Sequence, residues 1–300
     1  FNQPLSTWDV SRVTTMSNMF SGCSSFNQSL NSWDTKVSKV TNMSSMFSGC
    51  ISFNQSLNSW DVSSVTNMSN MFRGCSIFNQ SLNSWGAKVS KVTNMSSMFQ
   101  GCSEFNNQLG SWIVTSVTDM SHMFYGCSKF NSGLFTKAIT PVCIVNAAFY
   151  ECYALNQYIR WDITYSTDLT NMFHSCGNMT DINMAFIYLN MFKIGGTNAE
   201  NMFYNCNMLT FDGTGGTTGG TPAMRANNLS NMRKMCYSYN TSKYNALKYW
   251  RPGTCVTEMG KLSDTNRKNN SNPLFQFLGP GGANIKDTWG GKTRTVTDDN

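Results

Sequence analysis

Charged side chains are scarce in this 300-residue chain: Asp, Glu, Lys and Arg together make up 13% of it, against roughly 25% in ordinary soluble proteins. Serine, threonine, asparagine and glycine supply the polarity instead. The net charge is +6, acids and bases are interspersed, and no run of five like charges occurs. This composition argues against nucleic acid as a partner and favours an uncharged one.

Histidine and long apolar runs are also lacking. The two histidines, His122 and His174, have no acids or cysteines nearby at the spacing of zinc ligands, and we expect both to be exposed. No apolar stretch reaches the roughly 18 residues needed to span a bilayer, so we expect no transmembrane segment in this range. The Gly-rich residues 212–222 lack the Gly-Lys-Ser/Thr ending of a phosphate-binding loop. We therefore expect no enzyme, no cofactor and no metal.

What the chain does contain is a repeat. Residues 26–52 read FNQSLNSWDTKVSKVTNMSSMFSGCIS and return almost unchanged in residues 78–104, and shorter versions start at Phe1, Phe53 and Phe105. Such a repeat is one structural unit that can bury its apolar face only against its neighbours. Because Phe1 already lies inside a repeat, we expect further sequence upstream, with a signal peptide or lipid anchor left open.

The pattern within residues 26–52 predicts a strand followed by a helix. Apolar residues from Phe26 to Trp33 suit a short extended segment that faces a core. Four apolar residues then follow at the i, i+3, i+4, i+7 spacing of one helical face: Met43, Met46, Phe47 and Cys50. We therefore predict an α/β solenoid of about ten coils, each with a short parallel strand and a short helix.

Cysteine and asparagine each recur at one fixed position of the repeat. The cysteines are Cys23, Cys50, Cys75, Cys102, Cys127, Cys152 and Cys176, with Cys206 and Cys236 continuing the row. We interpret them as small core residues formed in a reducing environment, with disulfides between coils as the alternative. The asparagines are Asn2, Asn27, Asn54, Asn79, Asn106, Asn131 and Asn156. We predict that they form a buried ladder of hydrogen bonds between coils.

The repeat pattern weakens along the chain, which predicts three regions. Residues 1–178 form the regular repeats, and residues 179–262 form degenerate repeats with a Gly-Thr loop inserted between coils. Residues 263–300 are polar and punctuated by glycine and proline. We predict that this last segment is an extended C-terminal arm, which either caps its own solenoid or docks on a neighbouring molecule.

The string F-N-Q-x-L-x-x-W-D-V-S-x-V-T-x-M-x-x-M-F-x-x-C resembles the repeat of BspA-like leucine-rich-repeat surface proteins. The residues that carry the match in one repeat are Phe53, Asn54, Gln55, Leu57, Trp60, Asp61, Val62, Val65, Thr66, Met68, Met71, Phe72 and Cys75. The resemblance is specific over residues 1–129 and weakens beyond about residue 178. It implies an LRR-like solenoid and a role at a surface, as an adhesin or structural component. Similar repeats occur in microbial eukaryotes and in large DNA viruses.

We expect a non-enzymatic structural or interaction protein, presented at a surface or built into a large assembly such as a virus capsid. The alternative is a secreted or cell-surface adhesin that binds host or matrix macromolecules. In both cases the partners are other proteins of the assembly or surface, and the location is the virion or the cell surface. The candidate partner contacts are Lys36, Lys39, Lys88, Lys91, Phe275, Phe277 and Trp289.

Overall fold

The structure, a computed structural model, describes residues 1–135, 143–159, 161, 163, 166, 168–179 and 197–206, and the backbone of residues 229–231, 286–289 and 292–295. Its elements are two 3₁₀ helices, Asn31–Val37 and Asn83–Val89, and strands β1 (Thr197–Asn198), β2 (Leu229–Asn231), β3 (Lys286–Trp289) and β4 (Lys292–Thr295). β1 pairs in parallel with β2, and β3 pairs antiparallel with β4. None of the described helices is long and apolar enough to cross a membrane.

The repeats form a stack of coils, which we number from the N-terminus. Coils 1 to 7 are residues 1–25, 26–52, 53–77, 78–104, 105–129, 130–154 and 155–179, and residues 197–206 belong to coil 8. Isolated parallel β-bridges join successive coils at one position: Thr15 to Asn42, Asn67, Asn94, Asp119 and Ile144 in turn, and Asp168 to Asn198. Each coil therefore contacts the next one along the chain, as in other repeat proteins.

The predicted α/β solenoid of about ten coils, with a strand and a helix in each, is wrong. The described residues contain no α-helix, and those before Thr197 contain bridges but no strand. In coil 2, the amides of Ser45 and Phe47 donate to carbonyls of coil 3 at 2.8 and 2.9 Å, whereas the amides of Met46 and Ser48 donate three residues back. An α-helix requires every amide to bond four residues back. The segment is therefore a run of turns bonded to the next coil.

Left-handed residues prevent the helix that the apolar spacing predicts. Ser45 has a φ of 55° and Gly49 has a φ of 75°, and both positions have positive φ in coils 1 and 3 to 5 as well. A left-handed residue at every fourth position cannot continue a right-handed helix. Glycine adopts the positive φ of Gly49 without the steric cost that a Cβ imposes. The apolar face itself was predicted correctly, since all four of its residues in coil 2 are fully buried.

Phenylalanine rings form two columns through the core. One column has ring centroids 5.9–6.1 Å apart and contains Phe26, Phe53, Phe78, Phe105 and Phe130. The other has centroids 5.4–5.7 Å apart and contains Phe20, Phe47, Phe72, Phe99, Phe124, Phe149, Phe173 and Phe203. Rings of the two columns also stack on each other at 4.2–4.6 Å. The same apolar contact is thus repeated at every coil, which is what holds the stack together.

Tryptophan side chains bond each coil to the preceding one. Their Nε1 atoms donate to leucine carbonyls at 2.9–3.3 Å: Trp33 to Leu5, Trp60 to Leu30, Trp85 to Leu57 and Trp112 to Leu82. Trp161 is also buried, but its Nε1 has no partner in the described part of the chain. It follows Leu155 by six residues, whereas Trp33 follows Phe26 by seven. The indole is therefore displaced by one position, and it stacks on Phe135 at 5.4 Å.

Trp85→Phe is expected to cost about 0.5–1.5 kcal/mol more than Trp161→Phe, because only the first substitution removes an indole hydrogen bond, the one to the carbonyl of Leu57, which keeps the backbone amide of Trp60 as a donor. Both substitutions remove a similar volume of buried indole, so each serves as the control for the other. Urea unfolding followed by circular dichroism gives the two free energies. Equal losses would show that the indole hydrogen bond contributes nothing to the stack.

The asparagine ladder is confirmed, but its predicted burial is wrong. Each backbone amide donates to the Oδ1 of the asparagine in the preceding coil, from Asn27 on Asn2 to Asn156 on Asn131, at 2.8–3.0 Å. All seven side chains are exposed or half-buried. The reason is alternation along an extended segment: Phe26 points into the core, so Asn27 points to solvent.

The cysteine row is confirmed as part of the core within the described residues. Seven thiols donate to the carbonyl of a phenylalanine in the preceding coil at 2.9–3.0 Å: Cys50, Cys75, Cys102, Cys127, Cys152, Cys176 and Cys206. Cys23 is half-buried, Cys143 is buried off the row, and all nine described cysteines are free thiols. Cys236 lies outside the described residues.

Candidate functional site

The four lysines predicted as partner contacts lie on coils 2 and 4. Lys36 and Lys88 lie inside the two 3₁₀ helices, and Lys39 and Lys91 lie two residues after them. Three of the four are exposed, but Lys88 is half-buried and its Nζ donates to the carbonyl of Trp60 at 3.4 Å. Lys88 therefore helps to hold coil 4 on coil 3, and a role for any of the four in partner binding stays a prediction.

The aromatic contacts predicted in the C-terminal arm are largely outside the described residues. This applies to Phe275 and Phe277, to the Gly-Thr loop of residues 212–222 and to the proposed docking of the arm. Trp289 ends strand β3, of which only the backbone is described. These contacts stay predictions.

Sequence reasoning missed an aromatic column on the outside of coils 5 to 8. The column consists of Tyr125, Tyr150, His174 and Tyr204, each of which follows the buried phenylalanine of its coil. Successive ring centroids are 4.5, 4.3 and 4.6 Å apart, with interplanar angles of 3°, 14° and 8°. All four rings are half-buried. The stacked faces cover one another, so the column presents ring edges, hydroxyls and an imidazole to its surroundings.

The aromatic column is the second half of a row of outer side chains, which are polar in coils 1 to 4 and aromatic in coils 5 to 8. We call this row the variable row; in coils 1 to 8 it contains Ser21, Ser48, Arg73, Gln100, Tyr125, Tyr150, His174 and Tyr204. The first four coils stack without an aromatic residue here, so the fold does not require one. A comparison of the repeats at this single position is the sequence signal that could have revealed the column.

The side chains beside the column are polar and acidic. Tyr153 is half exposed, and burial followed by the charge of Glu151 raises the pKa of its hydroxyl. Burial is the largest cause of the raised pKa of the Tyr150 hydroxyl, and the neighbouring Tyr125 and Glu151 raise it further. One carboxylate, that of Glu151, therefore lies at the edge of the column.

His174 is held between two tyrosines, and the prediction that it is exposed is wrong. Its ring stacks on Tyr150 and Tyr204, and its Nδ1 is 2.9 Å from the Oγ of Ser175. Burial lowers the pKa of the imidazole, because the charged form loses solvation there. The same prediction is wrong for His122, which is also half-buried and whose ring centroid lies 5.9 Å from that of Tyr125.

A comparison with protein-family models connects this stack to a known repeat. One family matches four overlapping stretches, residues 1–93, 35–137, 86–186 and 139–250. Together they span 250 of the 300 residues. The chain belongs to DUF285, described as "Mycoplasma protein of unknown function". The expected membership of a repeat family is thereby confirmed. Searches of curated proteins and of solved structures each found no match.

The four DUF285 matches overlap one another along the chain. They include all eight described coils and end at residue 250, before the segment predicted to be the arm. Both halves of the variable row therefore lie in DUF285 repeats. The change from polar to aromatic residues is a difference between repeats of one family within one chain.

Charge is distributed unequally along the DUF285 stack. Coils 1 to 4 contain four carboxylates, Asp9, Asp34, Asp61 and Glu104, and six basic side chains, Arg12, Lys36, Lys39, Arg73, Lys88 and Lys91. The described residues of coils 5 to 8 contain four carboxylates, Asp119, Glu151, Asp168 and Glu200, and one basic side chain, Lys129. That lysine forms an ion pair with Glu104 at 2.6 Å. Within the described ranges, no group of three or more His, Cys, Asp or Glu side chains could hold a metal ion.

The stability of the stack is expected to fall as the pH falls below about 6.5, the ordinary pKa of histidine, because the unfolded chain then binds a proton that the buried His174 resists. The contribution is fully present above that pH and is lost toward the lowered pKa of the folded state. His174→Tyr keeps an aromatic ring in the column and removes this titration. Thermal melts between about pH 5 and 8 should therefore be less pH-dependent for the variant; identical profiles would refute the assignment.

Proposed function

We propose that this DUF285 chain is a non-enzymatic structural or interaction scaffold, presented at a surface or built into a large assembly such as a virus capsid. The observation that supports this most is the variable row. The core rows repeat from coil to coil, while this outer row changes from Ser21, Ser48, Arg73 and Gln100 to four stacked aromatic residues. A change confined to the outside alters what the stack can bind without altering how it folds.

The aromatic column has the properties of a protein-binding surface. Tyrosine is enriched at the residues that contribute most to binding, because it offers a large contact area with few rotatable bonds. Here the rings are already immobilised by their neighbours at 4.3–4.6 Å. Binding would therefore order few additional side chains, and the entropy cost of association is reduced.

The state of the cysteines favours a scaffold over an enzyme with a thiol nucleophile. Nucleophilic cysteines need a low pKa and access to solvent. Burial raises the pKa of Cys50 to about 12, and it raises the pKa of Cys102, Cys152 and Cys176 as well. These thiols are assigned to the core by their bonds to phenylalanine carbonyls.

A secreted or cell-surface adhesin is the second candidate, and an exposed row of threonines favours it. The Oγ1 atoms of Thr41, Thr66, Thr93 and Thr118 all donate to the preceding threonine carbonyl at 3.2 Å. The side chains are thus held in one repeated orientation on a neutral polar face. The resemblance of the repeat to BspA-like leucine-rich-repeat surface proteins supports this candidate too.

Cross-linking of intact cells or particles from the native source tests the proposal. A membrane-impermeant amine cross-linker can reach the exposed Lys36, Lys39 and Lys91, and an antibody against residues 1–178 identifies the products. An assembly component is expected to be cross-linked to the other assembly proteins. An adhesin is also expected to react with the cross-linker, but its expected partners are host or matrix macromolecules that are added to the sample. Protection from the reagent until lysis, with recovery as a free soluble protein, would overturn both.

The matched control for this experiment replaces the three exposed lysines with arginine. The variant keeps the positive charge of coils 2 and 4 but lacks their reactive amines. Cross-links that pass through this face are expected to disappear, while the variant still reaches its location. Cross-links that persist unchanged would come from other amines and would not concern these coils.

A further inference from the structure

We propose that two copies of this chain bind side by side and antiparallel through their variable rows, around a twofold axis between coils 4 and 5. The partner of the aromatic column is then a second copy of the chain. This proposal rests on the proposed function in one respect, that the variable row is a contact surface. A contact of this kind joins two copies and does not extend to a third, because both copies use the same patch.

The twofold axis places the aromatic side chains of the variable row opposite non-aromatic ones, two of which are serines. It pairs coil 1 with coil 8, coil 2 with coil 7, coil 3 with coil 6 and coil 4 with coil 5. Along the variable row the facing pairs are Ser21 with Tyr204, Ser48 with His174, Arg73 with Tyr150 and Gln100 with Tyr125. The serines leave room where the other copy has an aromatic ring. A parallel arrangement would instead place rings against rings and serines against serines.

The neighbouring position of each coil supports the same pairing. Immediately after the variable row, coils 1 to 5 have Gly22, Gly49, Gly74, Gly101 and Gly126, whereas coils 6 to 8 have Glu151, Ser175 and Asn205. The first half of the stack therefore has a strip without side chains beside its variable row. The antiparallel arrangement brings the glycines of coils 1 to 3 against coils 6 to 8, where Glu151 and Asn205 are half-buried and Ser175 is buried.

Charge favours the antiparallel arrangement. Arg73 is exposed in coil 3, and Glu151 lies next to Tyr150 in coil 6, the coil that faces it. This pair occurs twice in the dimer, once on each side of the axis. Opposed charges of this kind determine register and orientation at interfaces.

The shape of the stack allows contact along its whole length. Successive rings of the phenylalanine column that runs from Phe20 in coil 1 to Phe203 in coil 8 are inclined by only 2–13°, so neighbouring coils are rotated little and the stack stays nearly straight. Eight coils extend about 34 Å at the usual spacing of parallel strands. A contact strip of that length needs a width of about 24 Å to reach the roughly 800 Å² per partner of a stable interface.

Charge exchange at the Arg73 and Glu151 pair tests the inference directly. Sedimentation velocity and multi-angle light scattering on the full chain are expected to show a dimer. Arg73→Glu and Glu151→Arg should each weaken dimerisation at least tenfold, and the double variant should recover to within about threefold of wild type. Lys36→Glu makes the same charge change outside the variable row and should leave the dimer intact. A monomeric wild type, or a double variant no better than either single one, would overturn the proposal.

A second pair of variants tests the packing of small against large residues. Ser48→Trp should block dimerisation, because Ser48 faces His174 of the other copy, and His174→Ser in the same chain should restore it. Circular dichroism checks that each variant is folded. Failure here differs from failure of the proposed function: a monomer that is still cross-linked at a surface or particle overturns only the dimer. A dimer recovered free in the cytosol overturns only the proposed function.

Discussion

Replacement of Phe72 by alanine is expected to lower the free energy of unfolding by about 3–5 kcal/mol. Its ring is fully buried and stacks on Phe47 at 5.6 Å, on Phe78 at 4.3 Å and on Phe99 at 5.7 Å. The substitution removes three stacking contacts at once. The backbone bonds of coil 3 to its neighbours limit how far the cavity can collapse.

Phe72→Ala should also change the shape of the unfolding transition. In a repeat stack, stability is the sum of the coils and of the interfaces between neighbours. Weakening coil 3 reduces its coupling to coils 2 and 4, so we expect the coils on either side to unfold in separate steps. Calorimetry combined with urea unfolding measures both the decrease in the free energy of unfolding and the loss of cooperativity.

Phe1→Ala is the matched control. Phe1 belongs to the first phenylalanine column but is 58% exposed, and among the described residues its ring stacks on Phe26 alone, at 6.0 Å. We expect it to cost less than about 1 kcal/mol. If the two alanine variants lost the same stability, the stacked columns would not be the main source of cohesion between coils.

Labelling of the native protein with a thiol reagent should modify the cysteine row about a thousandfold more slowly than an ordinary thiol. The reactive species is the thiolate, and burial raises the pKa of Cys50 from 9.0 to about 12, so its thiolate fraction falls by about three powers of ten. Burial also raises the pKa of Cys75 and Cys102. Their packing excludes the reagent in addition.

The labelling is best done in a Cys236→Ser, Cys255→Ser background, because both residues lie outside the described part of the chain. The half-buried Cys23 should then be the first thiol to react. In about 6 M guanidinium chloride every remaining cysteine should react at the rate of an unfolded chain. Rapid labelling of most row cysteines without denaturant would refute the buried row.

The same shifts predict a loss of stability in alkali. The thiols have a raised pKa in the folded state, so their contribution is fully present below 9.0, the ordinary thiol pKa. As the pH rises above that value, the unfolded chain loses protons that the folded chain retains, and stability falls by about 1.4 kcal/mol per unit for each such thiol. Cys102→Ser removes one such thiol, so the free energy of unfolding should fall less steeply with pH than in the wild type. The serine hydroxyl can still donate to the carbonyl of Phe72.

Much of the interior could be predicted because periodicity reports which side chains share a face. The spacing of Met43, Met46, Phe47 and Cys50 predicted their burial, and their complete burial confirms it. The fixed position of Asn27 and its equivalents predicted the ladder of side-chain bonds. One-per-repeat cysteines predicted a core row. Each of these inferences needs only the repeat and the requirement that equivalent residues stack.

The candidate surface could not be predicted in the same way. The residues singled out in advance were the lysines that distinguish the longer repeats and the aromatic residues of the arm. Tyr125, Tyr150, His174 and Tyr204 lie at intervals of 25, 24 and 30 residues, so their alignment in one column becomes visible only when the coils are placed in register. The orientation of Asn27 toward solvent likewise follows from Phe26 occupying the core.

The sequence alone therefore determined the repeat, its inward-facing residues and the ladders between equivalent positions. Tertiary structure decided the backbone conformation. The i, i+3, i+4, i+7 pattern is satisfied equally by a helix and by a run of turns, because it reports burial and not the partner of each amide. In the stack, the carbonyls of the next coil lie within reach of every second amide, and left-handed residues such as Ser45 and Gly49 direct those amides outward. A bond between coils thereby replaced the bond four residues back, and the predicted helix did not form.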